Sequence, residues 1–200
     1  MGCAVQCNFA CDRSAPIIGI KIGFLDRLVT ELAKIQIKIS IMKFRQLAET
    51  AQGRLIVIIF GILRNALHKQ PEVKKHLATG EFVPTLSRLW SYCAAHENLT
   101  RPLLQGNYQF SSIKLNFEDT FDNLRKLLLN FSHEHQEASS KVAQTPLIGQ
   151  IVKQFHTFNS QIKVKIKINS VYSLIFKSLD NLSISAEARA YFWKGIFIFC

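Results

Sequence analysis

Leu25, Leu28, Leu32, Ile35, Ile39 and Met42 recur at steps of three and four, with Glu31, Lys34 and Lys38 between them. That period places the apolar side chains on one face of a helix starting at Phe24. A shorter period of two, at Ile35, Ile37, Ile39 and Ile41, would suit a strand, but the helical pattern runs through it. Residues 1–23 contain Pro16, Gly19 and Gly23 and predict an irregular segment. Gly53 predicts a break before the next helix, Arg54 to His68. That helix is apolar around most of its circumference, so it belongs among neighbours rather than at a surface. Pro71 opens a short helix, because a first-turn position needs no amide donor. Glu72 complements the positive end of its dipole, and Gly80 is expected to close it in a left-handed conformation. Pro84 then enters the first turn of a longer helix carrying Leu86, Leu89, Trp90 and Cys93.

The same order recurs further along. ILRNALHKQPEVKKHLATGEFVPTLSRLW, from Ile62, aligns without a gap on LLLNFSHEHQEASSKVAQTPLIGQIVKQF, from Leu127. Leu63 falls on Leu128, Asn65 on Asn130, His68 on His133, Glu72 on Glu137, Leu86 on Ile151 and Trp90 on Phe155. The second copy predicts a helix from Glu118 to Asn130, the turn SHEHQ, a short helix from Glu137 to Gln144, Pro146 in a corner, and a long helix to Phe158. Residues 97–117, with Pro102, Gly106 and a Ser pair, are poorly periodic and read as a linking loop. A partial third copy starts near Leu174 and places Asn181 where Asn65 and Asn130 stand. Repeated helical units stack to share a core, and such proteins bind partners far more often than they catalyse. The expected organisation is an irregular segment over 1–23 and helical repeats over 24–193. The copies lie near 54–95 and 118–158, a partial third near 171–193, and an apolar tail follows over 194–200. A tail of GIFIFC offers neither a neighbouring repeat nor a polar cap, so the expectation is a fragment of a longer solenoid or a truncated gene product.

Composition sharpens this picture. Apolar residues reach 48% with 15 Phe, enough for a continuous core. The formal charge of +11 admits an acidic partner, nucleic acid or an anionic membrane surface, but the charges are spread along the chain. The one dense run, KVKIKIN from Lys163 to Asn169, lacks the interleaved aromatics on which bases stack. Five cysteines argue against a disulfide framework in a chain of this size. Cys3, Cys7 and Cys11 do not have zinc-knuckle spacing, and His133 and His135 flank Glu134 in what reads as a solvated turn. The start MGCAVQ has the Gly2 of an acylation signal but Gln6 in place of Ser or Thr. The longest apolar run, Leu55 to Leu63, is far shorter than the roughly 20 residues a bilayer requires. An intracellular, soluble protein without a transmembrane segment, or part of a larger assembly, is expected.

The unit NFSHEHQEASSKVAQTPLIGQIVKQF resembles the armadillo pattern: an Asn-Leu-Ser-like turn, a short helix, a Gly or Pro corner, then a Leu-rich helix. FLDRLVTELAKIQIKI, then FGILRNALHKQPEVKKHLATGEFVPTLSRLW, then LRKLLLNFS are similar, in the same order, to the C-terminal region of the rotatins, large proteins of centrioles and cilia. The blocks cover about half of the chain, chiefly Phe24 to Trp90 and Leu124 to Phe155, and rotatins carry more helical sequence between them. The resemblance implies an all-α, armadillo-like α-solenoid without enzymatic activity or cofactor. It implies a scaffold for centriole assembly, centrosome integrity and ciliary basal bodies, in the cytoplasm and cytoskeleton, with other centriolar proteins as partners. Small-molecule substrates and nucleic acid are not expected. In armadillo proteins an Asn near the end of the third helix can hold the main chain of an extended peptide, and Asn65, Asn130 and Asn181 match that position. The Trp that accompanies it four residues earlier is replaced by Gly61, Lys126 and Lys177. Each Asn also reads as a cap for its own helix end and the turn that follows. The candidate protein-binding groove is therefore Asn65, Lys126, Asn130, Lys177 and Asn181, with the lysines favouring an acidic or helical partner.

Catalytic motifs are missing: the chain has no nucleophile elbow, phosphate-cradling Gly loop or HExxH. No metal site is expected, and Glu118, Asp119 and Asp122 cluster at a helix start, where carboxylates complement the dipole. The alternative to a scaffold is a basic armadillo-like solenoid that binds nucleic acid or carries cargo.

Overall fold

The computed structural model describes residues 14–41, 51–100, 111–161 and 169–199. Ten helices and no strand occur among them. The first is a departure from expectation: part of the segment read as irregular forms α1, Ala15–Lys21. Pro16 sits in its first turn, where no donor is lost, and Gly19 is buried, so the missing side chain permits close packing. Gly23, at φ 66, then turns the chain in the left-handed region that glycine enters without penalty. Helix α2, Phe24–Ile41, starts where the period places it and remains helical through the isoleucine run. Helix α3, Ala51–Leu67, contains Gly53 instead of starting after it. One glycine costs a helix only about 1 kcal/mol, which the burial of Ile56, Ile59 and Phe60 in the same helix outweighs.

Pro71 opens α4, Pro71–Ala78, as expected. Thr79 closes it in a right-handed conformation, so Gly80 does not supply the left-handed residue. That conformation falls instead on Lys69, φ 54, and Glu134, φ 50, each just past the end of a long helix. The two positions match in the aligned copies. Side chains there cost roughly 1–2 kcal/mol, so both copies retain the same strained turn. Helix α5 runs Phe82–Thr100 and α6 Ser111–Ser132. The expected loop is thus helical at both ends, and residues 101–110 lie outside the described part. The second copy continues with α7, Gln136–Ala143, and α8, Leu147–Gln161. Helices α9, Asn169–Leu182, and α10, Ala186–Phe199, follow, so the expected tail continues a helix. The clustered cysteines, Cys200 and most of KVKIKIN lie outside the described residues.

Contacts link like with like. Helix α3 packs on α6, and α6 on α9; α2 packs on α5, and α5 on α8. The short helices α1, α4 and α7 and the longer α10 form a third row and touch in succession. The fold is all-α, and a single buried apolar cluster runs from Leu25 to Ala188. Leu63 and its counterpart Leu128 are both fully buried. Trp90 is buried with its ring edge-on to Phe121 at 5.2 Å, and Phe82 meets Phe131 in the same manner at 5.1 Å. Phe155, the counterpart of Trp90, is half-buried and lies 6.4 Å from Phe176 of α9.

Candidate functional site

The five residues singled out from the sequence all lie on the row α3, α6 and α9. The three asparagines stand in the last turns of these helices, where carbonyls lose their intrahelical partners. Asn130 Nδ2 donates to the Arg64 carbonyl at 3.1 Å, and Asn181 Nδ2 donates to the Leu129 carbonyl at 3.2 Å. Arg64 and Leu129 are equivalent positions, each one residue before an asparagine. The amides therefore cap the helix of the preceding copy rather than their own. Around Asn65 the chain tightens, with the His68 amide donating to the Asn65 carbonyl.

A second set of bonds runs the other way. Lys74 Nζ donates to the His133 carbonyl, and Ser139 Oγ donates to the Asn181 carbonyl at 3.2 Å. Lys74 and Ser139 are aligned residues of the two short helices. Adjoining copies are thus joined by bonds running in both directions, from the long row to the preceding copy and from the short row to the following one. Lys74 is buried, and desolvation lowers its pKa while Glu134 partly opposes the shift. These reciprocal donors were not singled out from the sequence. The alignment carried the signal, because Lys74 and Ser139 occupy one repeat position and both can donate.

Lys126 and Lys177, also equivalent, are exposed. Phe176 stands beside Lys177 with 54% of its surface open to solvent. Arg64 bridges to Asn123 Oδ1 at 3.1 Å. Arg125 is buried, 3.0 Å from Asp122 and 3.7 Å over the Phe121 ring, so its charge serves the interior. The row therefore presents ammonium groups and an apolar ring, a surface suited to carboxylate and apolar side chains together. The main-chain clamp suggested by the asparagines is occupied at Asn130 and Asn181 by the protein's own backbone.

On the short-helix row, an open groove is lined by Ile20, Pro71, Glu72, Lys75, His76, Thr79 and His135. His76 Nε2 lies 2.8 Å from Asp26 Oδ1, tying α4 to α2. His135 is not a solvated bystander: its Nδ1 accepts from the Ala138 amide at 3.1 Å and caps α7. Among the described residues, no group of three or more His, Cys, Asp or Glu side chains could hold a metal ion. No described helix is long and apolar enough to cross a membrane. No family model, curated protein or solved structure matches the chain.

Proposed function

We propose that this chain is an armadillo-like α-solenoid module that acts without enzymatic chemistry, as a scaffold for other proteins. The observation that carries this reading is the like-with-like packing of three helix rows, with asparagine bonds repeated from copy to copy. Such a stack offers a long continuous surface and no enclosed reaction chamber. With two asparagine amides engaged in the stack, the recognition groups are Lys126, Lys177 and Phe176. They fit an acidic segment carrying apolar side chains, such as one face of a helix.

On the resemblance of Phe24 to Trp90 and Leu124 to Phe155 to the rotatins, the proposed setting is the centriole and the ciliary basal body. Tagged protein should concentrate at centrioles in dividing cells, and Lys126→Glu with Lys177→Glu should reduce that signal without changing the melting temperature. A diffuse or nuclear signal removes this setting.

The charge of +11 favours one other reading, a basic solenoid that binds nucleic acid. Phosphate contacts release counterions, so affinity for duplex DNA or single-stranded RNA would fall steeply with salt. The scaffold reading expects no binding at moderate salt. Retained affinity with a steep salt slope would replace it.

A further inference from the structure

Three residues open the helices of the third row: Gln70 before α4, His135 before α7 and Ser185 before α10. Gln70 makes no side-chain cap bond. Ser185 Oγ accepts from the Ala188 amide at 3.0 Å, an ordinary serine cap that no physiological pH alters. His135 does the same work with ring Nδ1, accepting from Ala138 at 3.1 Å. A ring nitrogen accepts only while it carries no proton. We propose that His135 is a pH-sensitive latch: its neutral ring caps the first turn of α7, and its protonated ring gives up that cap.

The surroundings favour the neutral ring. Burial and the Lys74 charge lower the His135 pKa from its ordinary 6.5, more than Glu137 and a hydrogen bond with the Pro71 backbone raise it; Lys75 adds a smaller lowering. Glu72 and His76 of α4 line the same groove. The adjoining turn carries His133 and Glu134, and α7 carries Lys141. On the other flank of α7, α10 brings Glu187 and Arg189, while α1, which packs on α4, ends in Lys21. Protonation would set a second cation near Lys74, which is already buried and bonded to the His133 carbonyl. It would also turn Nδ1 from an acceptor into a donor facing the Ala138 amide. The folded pKa lies below the unfolded one. The latch is therefore fully closed above pH 6.5 and is lost as pH falls through the folded value.

The test follows amide hydrogen exchange at Ala138 and Ser139 in the whole chain from pH 7.5 to 5, corrected for intrinsic rates, with the His135 ring titrated by NMR. Wild-type protection should fall roughly fivefold across the titration, the factor that loss of a helix cap ordinarily carries. His135→Ser should keep the cap and show flat protection. Equal loss in that variant, or flat protection in wild type, overturns the proposal. So does a wild-type ring that titrates at or above 6.5, a reading that needs no variant to fold.

Discussion

Asn130 and Asn181 show how one side chain can serve two copies of a repeat. A residue near a helix end would ordinarily bond its own turn, because the closest unsatisfied groups are there. Here each amide reaches a carbonyl near the end of the preceding helix; that of Leu129 also accepts from the His133 amide at 3.0 Å. Asn130→Ala would leave the Arg64 carbonyl without this donor in a half-buried setting. The expected cost is about 1–3 kcal/mol in chemical denaturation. Asn130→Ala placed on the surface of an independent helix would cost almost nothing, so an unchanged midpoint would show that the bond does not hold the copies together.

At the scale of elements, α8 and α10 approach closely because Gly149 has no side chain. A Cβ on Gly149 would stand 2.5 Å from Tyr191 Oη and 3.4 Å from Cζ. Alanine at a helical glycine normally adds about 1 kcal/mol of stability. In this chain the Tyr191 hydroxyl must move first, and Gly149→Ala should gain little. In a Tyr191→Phe background the obstructing oxygen is gone and the full gain should return. Thermal melts of the two single variants and the double variant measure the difference; equal gains in both backgrounds would mean that the ring already swings clear at no cost.

Across the whole molecule, the apolar cluster is continuous, so damage in one copy should spread. Leu128 is fully buried near the C-terminal end of α6, which packs on both α3 and α9. Leu128→Asp inserts a charge with no partner there, at a cost of several kcal/mol, comparable with the whole margin of a small domain. Loss of cooperative melting by circular dichroism is expected. A melt like that of wild type would put this side chain on a solvent face.

Part of this organisation could be read directly. The steps of three and four located α2 and the helices of the second copy, because a side chain's burial follows its angular position on the helix. Pro71 marked the start of α4 for an equally local reason, its fixed φ and absent donor. Local rules failed at Gly53, Gly80 and residues 15–21. At Gly53 and residues 15–21, packing against neighbours outweighed a propensity worth only about 1 kcal/mol, and at Gly80 the helix closes on a right-handed Thr79 instead. The site was half legible: the repeat marked Asn65, Asn130 and Asn181 and the exposed Lys126 and Lys177, but it did not show where the amides point.

By itself the amino-acid order determined a helical chain with two copies of one pattern, since period and turn chemistry act over a few residues. Only the tertiary structure decided that Asn130 bonds Arg64, that Lys74 is buried against His133, and that His135 caps a helix beside a cation. Asn130 and Arg64, Lys74 and His133, and His135 and its cation neighbour Lys74 lie far apart in sequence. Hydrogen bonds and charges act through distance in space, which no local pattern of residues records.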